Sequence, residues 1–287
     1  MSTVAGPESR FFDVNGLRLH HLDWGNTSAP TIVCVHGLRG NAHSFDGFAR
    51  HFRDRFHVVA VDVRGRGDSA WAPDGDYTMP SYVADLEMVL DELAFDRLTL
   101  VGTSMGGRIA MLYAGRHPER LDRLIINDIG PDAEAGSDRI SREAAHTPDS
   151  FPSLEAAMVY RREISASLER LSEGAQRESA LTQVRQLPDG SWVWKSDLAF
   201  LRQRADSGSV DYTALWDVVA RLQCPTLLVW GSASDVLSEG QARRMVRTLA
   251  HGTLVQVTGV GHAPTLTEPE AVAGLETFLS LRIKATS

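Results

Sequence analysis

The sequence predicts an α/β protein: a mostly parallel, eight-stranded sheet with helices on both faces and one inserted helical cap. Three observations carry that prediction. Short apolar runs at 31–35, 57–61, 98–101, 124–127, 226–230 and 253–257 alternate with amphipathic stretches. An Asn15-Gly16 pair near the start separates two strand-like runs. A Gly-x-Ser-x-Gly pentapeptide stands where the third apolar run gives way to a helical pattern.

The elements follow in order. Residues 11–14 and 17–22 flank Asn15-Gly16, a two-residue turn that tolerates positive φ at both positions, so the chain opens on a hairpin. The six later runs are rich in Val, Ile and Leu with little alternation, as strands covered on both faces must be. Between them, 81–93 places Val83, Leu86, Val89, Leu90 and Leu93 on one stripe at helical spacing. Stretches 106–117, 240–249 and 268–281 also read as helices. Alternating strand and helix implies a parallel sheet with helices on both sides. One segment breaks the alternation. From 131 to 209 no strand-like run appears; 154–171, 176–187 and 197–204 read as helices, with a turn at Pro188-Asp189-Gly190 before Trp192-Val193-Trp194. The expected division is a core of 1–130 and 210–287, interrupted by a helical cap at 131–209 over one edge of the sheet.

Composition narrows the function classes. The 287 residues carry 37 acidic against 29 basic side chains, a formal charge of −8. A nucleic-acid binder needs a basic face to neutralise phosphates, so that class is not expected. No run approaches the roughly 18 consecutive apolar residues of a membrane span. The first ten residues lack a basic stretch followed by an apolar one, so no secretory signal is expected. The two cysteines, Cys34 and Cys224, cannot form a disulfide framework and read as buried thiols of a cytoplasmic protein.

The chemistry centres on Gly102-Thr103-Ser104-Met105-Gly106-Gly107. A serine turned outward between a strand and a helix takes a strained backbone conformation, at a cost of about 1–3 kcal/mol. Side chains two residues before and after it would collide, which explains Gly102 and Gly106. Ser104 is thus the candidate nucleophile. A serine hydroxyl is weak until a base takes its proton. Of the ten histidines, His262 in Gly261-His262-Ala263-Pro264 lies in the loop after the last apolar run, at the carboxyl end of a strand where α/β sheets place their chemistry. The orienting carboxylate should precede it. Asp235, in the loop after 226–230, is the favoured candidate, and Asp128, directly after 124–127, is its rival. His36 is read as a structural histidine that hydrogen-bonds its own loop rather than as the base.

With these segments in place the chain resembles the α/β-hydrolase superfamily from about residue 11 to 281. The matching motifs are His36-Gly37, Asp62-Val63-Arg64-Gly65-Arg66-Gly67-Asp68-Ser69, the 102–107 segment, Gly231 to Asp235, and Gly261-His262. The resemblance implies a serine hydrolase that cleaves a carboxylic ester through an acyl-enzyme, with Ser104, His262 and Asp235 as its triad. It implies that the backbone N–H groups of Leu38 and Met105 form the oxyanion hole. It implies no organic cofactor and no metal, and a small-molecule ester or related acyl substrate as partner. Dehalogenases and epoxide hydrolases of the superfamily carry aspartate where this chain has Ser104. The Asn127-Asp128-Ile129-Gly130-Pro131 segment is similar to that of bacterial esterase-like hydrolases. Lactone or C–C bond hydrolysis by the same triad is the alternative, and a ligand-binding receptor with slow hydrolysis a third. For substrate binding, Arg39 beside the oxyanion loop could meet a substrate carboxylate, Val236 could touch substrate, and Trp192 and Trp194 share one face of an extended stretch and could line a pocket or anchor the cap.

Overall fold

The computed structural model describes residues 6–132, 146–164, 168, 171–206 and 214–280. The expected hairpin is there: β1 (Glu8–Val14) and β2 (Leu17–Asp23) pair antiparallel about Asn15 and Gly16, whose φ values are +51° and +74°. β2 also pairs antiparallel with β4 (His57–Val61). All other pairings of the main sheet are parallel and join β3 (Thr31–Val35), β4, β5 (Leu98–Thr103), β6 (Leu121–Asn127), β10 (Thr226–Gly231) and β11 (Gly252–Val257). The eight strands run in the order β1-β2-β4-β3-β5-β6-β10-β11.

The apolar runs explain the layers. Successive strand side chains point to opposite faces. In β3, Ile32 and Cys34 therefore enter one core, and Val33 and Val35 the other. On the first face α1 (Asp46–Phe52) and α9 (Pro269–Ser280) bury Phe48, Phe52, Leu275 and Phe278. The second face is covered by α2 (Met79–Glu92), α3 (Met105–Arg116), α7 (Leu215–Arg221) and α8 (Glu239–Thr248). The stripe read at 83, 86, 89 and 90 is the buried face of α2. Cys34 is fully buried, and burial pushes its thiol pKa up; Cys224 is only partly buried. Among the described residues no helix is long and apolar enough to cross a membrane.

The excursion between β6 and α7 departs from the all-helical expectation. Its described part holds β7 (Ser150–Phe151), α4 (Leu154–Ile164), α5 (Glu173–Gln183), β8 (Val184–Gln186), β9 (Trp192–Trp194) and α6 (Ala199–Asp206). The three strands form an antiparallel sheet in the order β7-β9-β8. The helix expected over 176–187 thus stops at Gln183, and the chain turns back through a hairpin whose tip, Gly190, has φ +89°. The reason is local. Val184 and the Trp-Val-Trp run favour a pleated, half-buried surface, and the Pro-Asp-Gly turn brings them into register. Strands of three residues are too short for hydrophobic periodicity to register. Phe151, Leu154, Ala157, Met158, Ala180, Val184 and Trp194 give this excursion its own small core.

Candidate active site

Ser104 sits between β5 and α3 with φ +52° and ψ −118°, in the positive-φ region that non-glycine residues rarely adopt. Close packing behind it accounts for the glycines. A Cβ on Gly102 would lie 2.3 Å from the Gly106 carbonyl oxygen, and one on Gly106 would lie 2.1 Å from that of Val35. The Ser104 N–H donates to the Asn127 carbonyl at 2.9 Å, which ties the turn to the end of β6.

His262, in the loop after β11, faces the serine: its Nε2 lies 2.8 Å from Ser104 Oγ. Its Nδ1 lies 2.9 Å from Oδ2 of Asp128. The expected partner, Asp235, is replaced in this position by its rival. Asp128 directly follows β6, is completely buried, and has φ +56°. Its other oxygen, Oδ1, accepts the Gly231 N–H at 3.0 Å. The end of β10 therefore meets this carboxylate with a backbone amide, while Asp235 stands exposed in the loop that follows. The physical reason is how each side chain is placed: Asp128 stands directly at the end of β6, buried and anchored by the Gly231 N–H, whereas Asp235 stands four residues beyond the end of β10 and is exposed.

Asn127 was not singled out from sequence. Its Nδ2 donates to Thr103 Oγ1 at 3.1 Å and to the Pro264 carbonyl at 2.8 Å, so one buried amide links the segment before Ser104 to the loop after His262. A polar residue closing the apolar run Leu124-Ile125-Ile126 was the available signal.

The two oxyanion candidates flank Ser104 on different segments. Met105 opens α3, so its N–H is among the first-turn donors that a helix cannot satisfy itself. Leu38 follows Gly37, where an added Cβ would come within 3.3 Å of Ser104 Cβ. The Gly37 carbonyl accepts from Gly40 N–H at 3.0 Å and from His36 Nδ1 at 2.7 Å. His36 is fully buried, accepts the Val63 N–H on Nε2, and is pushed down to about 4 by burial. It is a neutral structural clamp, as its place in the sequence suggested.

The remaining candidates divide. Arg39 donates to Thr147 Oγ1 at 2.9 Å, a residue of the excursion, which Tyr160 also contacts at 3.0 Å. Trp194 is buried in an aromatic cluster with Phe151 and Tyr160 and donates to the Pro148 carbonyl at 2.9 Å. Trp192 packs against the same small core. The pair thus knits the excursion together. Val236 packs against the main core.

The Asp62 to Ser69 motif is a folded loop. Asp62 accepts from His20 Nδ1, Ala42 N–H and Asp68 N–H, at 2.7, 2.6 and 2.9 Å. Burial alone would raise its pKa, but these partners hold it below the usual value. Arg64 grips Asp85 with two 2.6 Å bonds. His20, Asp62 and Asp68 bring three potential metal-ligand atoms within 4.8 Å of one another. The Asp62 oxygens are committed to the loop, however, and Asp68 pairs with Lys195.

Comparison with known proteins gives the family and the class of reaction. A family model described as the alpha/beta hydrolase fold matches residues 30–269. The chain is 33% identical over 267 residues to the 3-hydroxybutyrate-oligomer hydrolase of Cupriavidus necator, covering 89% of this chain and 90% of that one. It is 29% identical over 276 residues to an esterase of Mycobacterium tuberculosis, covering 94% and 88% of the two chains. The crystal structure of an alpha/beta hydrolase from Novosphingobium aromaticivorans superposes with a TM-score of 0.83 at 30% identity, over 96% of this chain and 99% of that one. The chain belongs to the α/β-hydrolase family and is a carboxylic ester hydrolase.

Proposed function

We propose that Ser104, His262 and Asp128 form the catalytic triad of an esterase that acts through an acyl-enzyme. The observation that carries this reading is His262 bridged between Ser104 Oγ and Asp128 Oδ2 at 2.8 and 2.9 Å. With Asp128 accepting at Nδ1–H, Nε2 is left to take the serine proton. Ser104 Oγ then attacks the ester carbonyl, and the imidazolium that forms is stabilised by Asp128. The N–H groups of Met105 and Leu38 receive the developing oxyanion, a contribution of about 2.7–4 kcal/mol per donor in comparable sites. His262 returns its proton to the leaving alcohol. Water, activated by the same imidazole, releases the acid and regenerates Ser104.

The excursion between β6 and α7 serves as the cap, and the hydroxybutyrate-oligomer hydrolase relative supports short oligoesters of hydroxy acids as the substrate class. The test is hydrolysis of p-nitrophenyl butyrate and of 3-hydroxybutyrate dimers by wild type and Ser104→Ala. We expect kcat to fall by about 10⁶ in the variant, the scale set by removal of a serine nucleophile. Equal rates would refute the role of Ser104. Hydrolysis of the chromogenic ester but not of the dimer would refute the substrate class alone.

A further inference from the structure

Arg66 is unusual for its burial. Its side chain is fully buried, and the charge that favours it, Asp197, is hydrogen-bonded to Tyr77 rather than to the guanidinium. Enclosing a guanidinium that no carboxylate grips directly is costly, so its donors need other partners. Nε donates to the Leu38 carbonyl at 3.0 Å, Nη1 to the Arg64 carbonyl at 3.2 Å, and Nη2 to Tyr82 Oη at 3.0 Å. Its planar face is covered by the Phe200 ring, 3.1 Å from Cζ to the ring centroid, with Tyr77 and Tyr82 further out. Burial pushes its pKa down, against the opposing pull of Tyr82, Tyr77 and Asp197.

The two sides of this guanidinium belong to different parts of the molecule. Phe200 lies on α6, in the excursion between β6 and α7, and is itself buried. The same segment is docked beside it: the Asp197 N–H donates to the Gly65 carbonyl at 3.0 Å, and Tyr77 Oη donates to Asp197 Oδ2 at 2.6 Å. On the other side, Leu38 lies in the turn already held at the Gly37 carbonyl by His36 and Gly40. Two consecutive peptide groups of that turn are thus fixed, the first from inside the core and the second by Arg66.

We propose that Arg66 is a positioning residue that couples the cap, through Phe200, to the Leu38 end of the oxyanion hole. This rests on the reading of Ser104 as nucleophile and of the Leu38 N–H as an oxyanion donor. A stacked, forked cation transmits the placement of α6 to the Leu38 carbonyl because both contacts need one orientation of the same plane. Loosening either contact lets the Leu38 N–H drift from where the oxyanion forms, while the ground-state ester is bound as before.

The experiment measures kcat and KM for p-nitrophenyl butyrate, the inhibition constant of an alkyl trifluoromethyl ketone, and thermal midpoint. It uses wild type, Arg66→Lys, Arg66→Met, Tyr82→Phe and Phe200→Leu. The ketone adds to the serine to give a tetrahedral oxyanion, so its affinity reports on the hole directly. We expect kcat to fall about 10–100-fold in both Arg66 variants and about 3–10-fold in Phe200→Leu, with KM within about threefold, below the full loss of a direct donor. Ketone affinity should weaken in parallel. Lysine should not rescue, because it lacks the fork. A folded Arg66 variant with unchanged kcat, a change confined to KM, or a fall in kcat with unchanged ketone affinity would overturn the proposal. Should the Arg66 variants fail to fold, Phe200→Leu and Tyr82→Phe carry the same test, and unchanged kcat in both would overturn it. Residual activity in Ser104→Ala at the wild-type rate would instead overturn the underlying triad.

Discussion

The ends of β6 and β10 read almost alike in the sequence and behave differently in the structure. Each is an apolar strand followed by an aspartate in a loop rich in small residues. Asp128 comes immediately after β6, is sealed from solvent, and divides its oxygens between His262 and the Gly231 N–H. Asp235 comes four residues after the end of β10 and is exposed. Burial and the bond from Gly231 N–H together hold the Asp128 carboxylate where it meets the histidine. Asp128 tolerates φ +56° because aspartate is among the few residues that visit the left-handed region at modest cost. That bend turns its side chain toward the histidine loop directly at the strand end.

The largest effect that can break this comparison is Asp128→Asn. The amide keeps the size of the side chain and still offers an oxygen to Gly231 N–H. Its NH2 group then faces His262 Nδ1 and favours the tautomer that cannot accept the serine proton. We expect kcat for p-nitrophenyl butyrate to fall by about 10⁴, the scale seen when a triad aspartate is so replaced. A fall of less than tenfold, with the thermal midpoint retained, would show that the carboxylate of Asp128 does not serve His262.

Why Ser104 and His262 were legible in the sequence while the acid was not follows from what each position depends on. The nucleophile turn is a local problem. Its glycines exist because Gly102 meets Gly106 four residues later and Gly106 meets the end of β3, and a pentapeptide records most of that crowding. His262 is marked by its place after the last strand. Choosing between Asp128 and Asp235 depends instead on which carboxylate the fold buries against the histidine loop, through long-range contacts to His262 and to the Gly231 N–H. No spacing along the chain encodes those contacts, and chain order serves both candidates equally, since each lies between the serine and the histidine. The excursion was misread for another reason. Strands of two or three residues, such as β7 and β8, are stabilised by pairing with one another rather than by a periodic face. Arg66 stood in plain view inside a recognised motif, but its burial beneath Phe200 is a long-range contact that the motif does not state.

A smaller effect is expected one residue before the acid. Asn127→Ala removes the two side-chain donations that join the β5 end to the Pro264 carbonyl, while the main-chain bond from Ser104 N–H to the Asn127 carbonyl survives. The Pro264 carbonyl then loses its donor. We expect a loss of about 1–3 kcal/mol in stability, the cost of leaving a buried acceptor unsatisfied. A fall in kcat of about tenfold should accompany it as the histidine loop loosens, within the range by which small misplacements act. Chemical denaturation and steady-state kinetics read the two changes separately. Loss of stability with kcat unchanged would mean that His262 is held by Asp128 and Ser104 alone.

The smallest expected effect is the most discriminating for the two strand ends. Asp235→Asn leaves the Asp128–His262–Ser104 contacts and the Gly231 N–H untouched, because those are made by main chain and by other side chains. Substitution of an exposed loop side chain ordinarily shifts stability by no more than about 0.5 kcal/mol. We expect kcat and KM to stay within about twofold, since each 1.36 kcal/mol at the transition state is worth tenfold. The paired result, Asp128→Asn inactive and Asp235→Asn active, assigns the orienting role to the end of β6. The reverse pattern would mean that the loop after β10 swings in during turnover and that the buried carboxylate serves only to hold Gly231. With Asp235→Asn itself unimpaired, a double variant no slower than Asp128→Asn would make the two losses additive and show that Asp235 does not stand in for Asp128.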